Sequence, residues 1–223
     1  MMWKFIIYKE WLKIRWFLVG YVCLGVLAVG YLYLSLKHSF AFNGARSMWS
    51  LVLFQNQSYY GLLKFLPLAG GLIVALAQYL PEAISKRLKL TFHLPLGENE
   101  SLIIMQGFGV AGLLVAFLIF FGLFAAFSAA YFPVQMVADS FITMLPWILA
   151  GFSGYFFMSL IVLEPGWIYR FLYALIGVSF ISVYFYTTDS AAYGPANSGL
   201  IVLTFLLSVV ILFSAYRFRK GEV

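Results

Sequence analysis

Gly151-Phe152-Ser153-Gly154 sets a serine among small residues, a spacing that can present a hydroxyl nucleophile. A serine attacks only after a base takes its proton. The chain has two histidines, His38 and His93, and neither lies in the last apolar stretch. Both fall in predicted connections, on opposite sides of the apolar runs, so no Ser–His dyad can be assembled at Ser153. Ala150, Gly151, Ser153 and Gly154 read instead as small residues that let two helices approach closely. Metal chemistry has no better basis. Two isolated histidines and the lone Cys23 stand at different levels and form no ligand set, so neither a metal nor a cofactor is expected in this chain. Cys23 reads as a small packing residue. Ion coupling usually needs ionisable groups at mid-membrane. Here Asp139, Glu164 and Asp189 sit at predicted loop edges, and Lys64 can snorkel outward. Gln78 is expected to make an interhelical hydrogen bond.

These residues sit in a chain that cannot be a soluble domain. Of its 223 residues, 64% are hydrophobic and 10% charged, which leaves too little polar surface to clothe a water-soluble globule. Six apolar runs have the roughly 20 residues needed to cross a bilayer: Trp16–Leu36, Gly61–Leu80, Leu102–Phe127, Phe141–Leu163, Ile168–Tyr186 and Gly199–Tyr216. Runs such as Leu113–Phe127 are apolar on every face, unlike the alternating strands of a membrane barrel. The reading is a single all-α integral membrane domain over 1–223.

Lys and Arg cluster at one side of these runs: Lys4, Lys9, Lys13 and Arg15, then Lys86, Arg87 and Lys89, then Arg170, then Arg217, Arg219 and Lys220. Lys37, Arg46 and Lys64 fall on the other. The positive-inside rule then places both termini in the cytoplasm. The net charge of +6 calls for anionic membrane lipid and not for nucleic acid. Residues 1–15 are expected to form a separate amphipathic interfacial helix. Its apolar stripe is Trp3, Ile7, Trp11, Ile14 and Leu18, with Lys9, Glu10 and Lys13 away from it.

The connection between the second and third runs, 81–100, is longer than a simple link requires. Pro81 suits a first helical turn, and Glu82 and Lys86 stand at i, i+4. Pro95 ends the helical pattern, and Asn99 or Ser101 is placed to cap the next span. A short mixed-charge helix on the cytoplasmic side is suited to docking another protein. No Gly-x-x-x-x-Gly-Lys-Ser/Thr loop occurs, so the chain carries no phosphate cradle of its own.

The stretch Arg87-Leu-Lys89-Leu-Thr-Phe-His93-Leu-Pro95-Leu96, with Glu82 upstream, resembles the segment after the second span of ABC-2-type transporter permeases. The basic N-terminal helix, six spans and overall length resemble that family too. Gly97-Glu98-Asn99 departs from the Ser-Arg of many members, which leaves the branch open, the haem exporters included. The resemblance implies a bacterial inner-membrane permease, more an exporter than an importer, paired with a second permease chain and driven by a separate ABC ATPase that holds ATP-Mg. Pro81, Glu82, Lys86, Arg87, Lys89 and Pro95 would form the ATPase-docking face. The chain would not be an enzyme by itself, and its substrate is not readable. Two alternatives stand beside this: a membrane scaffold for some other cytoplasmic partner, and an intramembrane serine protease, since Gly-x-Ser-Gly in a fourth span is similar to the rhomboid pattern.

Overall fold

A computed structural model describes residues 2–54, 58–84, 98–187, 189 and 192–220. They form six α-helices: α1 (Met2–Phe54), α2 (Leu66–Ile84), α3 (Glu98–Tyr131), α4 (Val134–Leu163), α5 (Trp167–Val183) and α6 (Asn197–Lys220). A single 3-10 turn, Gly61–Leu63, precedes α2. Four stretches are long and apolar enough to cross a bilayer: Trp3–Phe42, Gly61–Ile84, Glu100–Tyr131 and Val134–Leu163. Two shorter apolar stretches follow, Trp167–Val183 and Asn197–Val210. These are the helices of a multi-pass membrane protein, and one lies over each of the six apolar runs.

Helix α4 is the hub. It packs against α2, α5 and α6 and touches α3, while α1 lies along α3 and α2. Its burial follows from small residues at the right places. A Cβ on Gly71 of α2 would run into the Gly151 carbonyl of α4, and one on Gly151 would lie 2.7 Å from the Pro67 carbonyl. The two backbones therefore touch, as expected of the Gly151–Gly154 stretch. Ser153 is fully buried there. Its hydroxyl donates to Tyr184 Oη at 3.0 Å, and that hydroxyl lies 2.8 Å from Thr204 of α6. At the end of the bundle where α3 turns into α4, Tyr59 stacks on Phe132, with centroids 4.4 Å apart, and lies 3.2 Å from the Ser140 hydroxyl.

Five expectations are corrected. Residues 1–15 are not a separate helix. The helix runs unbroken through Arg15 into the first span, and its one non-helical residue is Gly44, at φ 73°. No proline or glycine interrupts 2–19, so nothing in that stretch breaks the helical hydrogen-bond ladder. One buried face, Ile6, Glu10, Ile14, Tyr21, Gly25, Val29, Leu32 and Leu36, with the half-buried Leu18 between Ile14 and Tyr21, continues at three- and four-residue steps through the whole stretch. The predicted apolar stripe is split: Trp3, Ile7 and Trp11 are exposed, whereas Ile14 is buried and Leu18 half-buried, and Glu10, placed off the stripe, is buried. In lipid the apolar side of a helix marks the solvent face, so the polar side turns to the protein. Cys23, read as a packing residue, is exposed for the same reason.

The other two corrections flank the connection after α2. Pro81 does not begin a new helix, since α2 continues through it to Ile84. Helix α3 starts at Glu98, so Asn99 and Ser101 lie within its first turn and do not cap it. Residues 85–97 lie outside the described residues.

Candidate functional site

At the basic end of the bundle, three helices contribute polar side chains, and a fourth a backbone carbonyl, to one buried network. Helix α1 supplies Lys9, Glu10 and Lys13. The spacing i, i+3 brings Lys13 Nζ onto Glu10 Oε1. Glu82, two residues before the end of α2, accepts Lys13 at 2.6 Å and Lys9 at 2.9 Å. Both acids are almost wholly removed from solvent, Glu10 at 0% and Glu82 at 1% exposure. Two carboxylates and two ammonium groups compensate one another, which is the condition for burying charge.

The network continues inward through Gln78, one turn before Glu82. Its side-chain amide donates to Glu10 Oε2 at 3.0 Å and to the Met105 carbonyl of α3 at 2.6 Å. Its carbonyl accepts the Tyr155 hydroxyl of α4 at 2.8 Å, and Tyr79 Oη lies 3.4 Å from that hydroxyl. Room for this comes from Gly109 of α3, where a Cβ would lie 2.5 Å from Gln78 Oε1 and collide with Tyr155. The arrangement is a set of ion pairs and hydrogen bonds. It ties the N-terminal segment of α1 to the end of α2, and both to the spans α3 and α4. Both outer elements are therefore joined to the centre of the bundle by polar contacts.

Of the predicted docking residues, the structure describes Pro81 and Glu82. Pro81 is exposed near the end of α2, and Glu82 faces α1. Lys86, Arg87, Lys89 and Pro95 lie outside the described residues, and so does His93. The Glu82–Lys86 pairing is therefore untested, while Glu82 already holds two lysines from another helix. Gln78 makes the interhelical bonds expected of it. Glu10, Lys9 and Lys13 were missed as site residues because they stand off the apolar stripe. The available signal was one acid in an otherwise basic segment, spaced to pair with Lys13. Tyr155 carried no signal among so many aromatic residues.

Two apolar grooves of about 560 and 380 Å³ lie beside α3 and share Leu114 and Phe152. The larger reaches α6, where Gln106 Nε2 donates to the Ser208 carbonyl at 2.9 Å. No ligand-sized cluster of His, Cys, Asp or Glu occurs among the described residues. No protein-family model, curated protein or solved structure matches this chain.

Proposed function

We propose that this chain is the permease subunit of an ATP-driven exporter of the ABC-2 type, worked by a separate ATPase seated on the segment that follows α2. The observation that supports it most is the buried ion-pair group of Glu82 with Lys9 and Lys13. Glu82 stands at the root of the segment proposed to meet the ATPase. The lysines belong to the N-terminal segment that would lie beside it. Joined by buried charge, the two move together, and Gln78 and Tyr155 hand that motion to α3 and α4. In this reading α5 and α6 complete six spans, both termini are cytoplasmic, and the membrane is a bacterial inner membrane. A second permease chain closes the substrate path, and ATP-Mg sits on the ATPase.

The test is purification of the tagged chain from its native membrane in mild detergent, with mass spectrometry of what accompanies it. A stoichiometric ATPase subunit is expected, lost in Arg87→Glu. Recovery of the intact chain without any nucleotide-binding partner would overturn the reading and favour a scaffold. Ser153 gives the protease alternative no support, because its hydroxyl is engaged with Tyr184.

A further inference from the structure

We propose that a groove at the basic end of the bundle is a binding site for one anionic phospholipid, with Arg170 as the headgroup ligand. The groove has a volume of about 530 Å³ and lies between the end of α2, the end of α4 and the first turn of α5. Its walls are apolar, from Leu76, Leu80, Met158, Ile161 and Phe171, and among the described residues Arg170 is the one charged residue that lines it.

Arg170 is held in place by contacts that leave most of its donors unspent. Its Nε donates to the Glu164 carbonyl at 2.6 Å, and its guanidinium lies 5.2 Å from the Trp167 ring centre. Among the described residues no carboxylate pairs with it. A guanidinium carries five N–H donors, so the remaining fork can take two oxygens of a phosphodiester side by side. Lys9 and Lys13, nearby at the same end of α2, are already matched by Glu10 and Glu82. Arg170 stands in the first turn of α5, whose positive dipole end adds to the field.

A free phosphate would satisfy Arg170 and leave the apolar walls unfilled. A phospholipid satisfies both, with the headgroup on the guanidinium and an acyl chain along Leu80 and Ile161. The surroundings fit a membrane edge: Trp167 is 81% exposed, and Ile168 and Phe171 are exposed beside it. Basic pockets between membrane helices recognise lipid headgroups by this combination. The inference is independent of the ATPase reading, because it needs only the groove and the arginine.

The experiment is native mass spectrometry of the full chain released from nanodiscs of equal parts phosphatidylglycerol and phosphatidylcholine with matched acyl chains. The wild type is expected to retain one phosphatidylglycerol in preference to phosphatidylcholine. Arg170→Gln should lower that retention about fivefold, the factor set by one basic residue at an anionic surface. Ile161→Trp, which fills the groove and keeps the guanidinium, should lower retention of both lipids. Equal retention of the two headgroups by the wild type would overturn the proposal. So would undiminished phosphatidylglycerol in either variant, and Ile161→Trp decides the matter if Arg170→Gln fails to fold. Displacement of the lipid by inorganic phosphate would overturn the phospholipid assignment.

Discussion

Glu82 and Lys13 meet at 2.6 Å with the carboxylate buried and the lysine 15% exposed; each has one further partner, Lys9 for Glu82 and Glu10 for Lys13, so removing either unbalances the charge of the whole group. Glu82→Gln is expected to cost about 1–3 kcal/mol, the desolvation cost of a buried polar group left unmatched. The Glu82→Gln/Lys13→Met double variant should cost less than the two single variants added together. Thermal unfolding in detergent measures this, and strict additivity would mean that the pair is not coupled. Within the same network, Gln78→Leu should be worse than Tyr155→Phe. The first strands a Glu10 oxygen and takes its acceptor from the Tyr155 hydroxyl, and the second removes one donor to Gln78, worth about 1–2 kcal/mol. The reverse order would place the weight of the network on α4 and not on α1.

Helix contacts are decided by where small residues fall. Gly151 and Gly71 let α4 and α2 touch, whereas Gly107 on α3 has nothing within 4 Å of where a Cβ would stand. Gly151→Ala is therefore expected to destabilise by about 1–3 kcal/mol through overpacking. Gly107→Ala should be neutral or stabilising by up to about 1 kcal/mol, from helix propensity alone. Melting temperatures of the two purified variants make the comparison, and equal effects would mean that α2 and α4 do not touch at Gly151. The close packing of the 150–154 stretch was legible in its residues. That its partner is α2 was not, because other runs carry small residues too, among them Gly107, Gly109 and Gly112.

Across the whole molecule, successive helices alternate in direction, so the start of α1 and the α5–α6 connection lie at opposite ends. In a Cys23→Ser background, Lys4→Cys and Asp189→Cys should react with a membrane-impermeant maleimide from opposite faces of sealed vesicles. Labelling of both from one face would rule out this topology. The bundle also explains why the α1 stretch Trp3–Phe42 is far longer than a span requires: at 1.5 Å per residue its 40 residues reach about 60 Å, twice the hydrocarbon thickness. The excess carries Lys9, Glu10 and Lys13 to the end of α2.

Apolar run length and charge distribution by themselves determined a helical membrane protein with a helix over each predicted run, because lipid forbids unsatisfied backbone and so leaves few alternatives. They could not determine which side of α1 is inner. An amphipathic stripe means core in water and surface in lipid, and residues 2–15 carried Trp3, Ile7 and Trp11 on one side with Glu10 on the other. Only the packing of α1 on α2 and α3 decided it. That packing turned Glu10 inward, gave Glu82 two lysines from a segment some 70 residues away in sequence, and brought Gln78 and Tyr155 into line behind them. Arg170 was visible from the start as one more basic flank. Its place at the mouth of an apolar groove depended on α2, α4 and α5 meeting there, which is a property of three helices and of no single stretch of sequence.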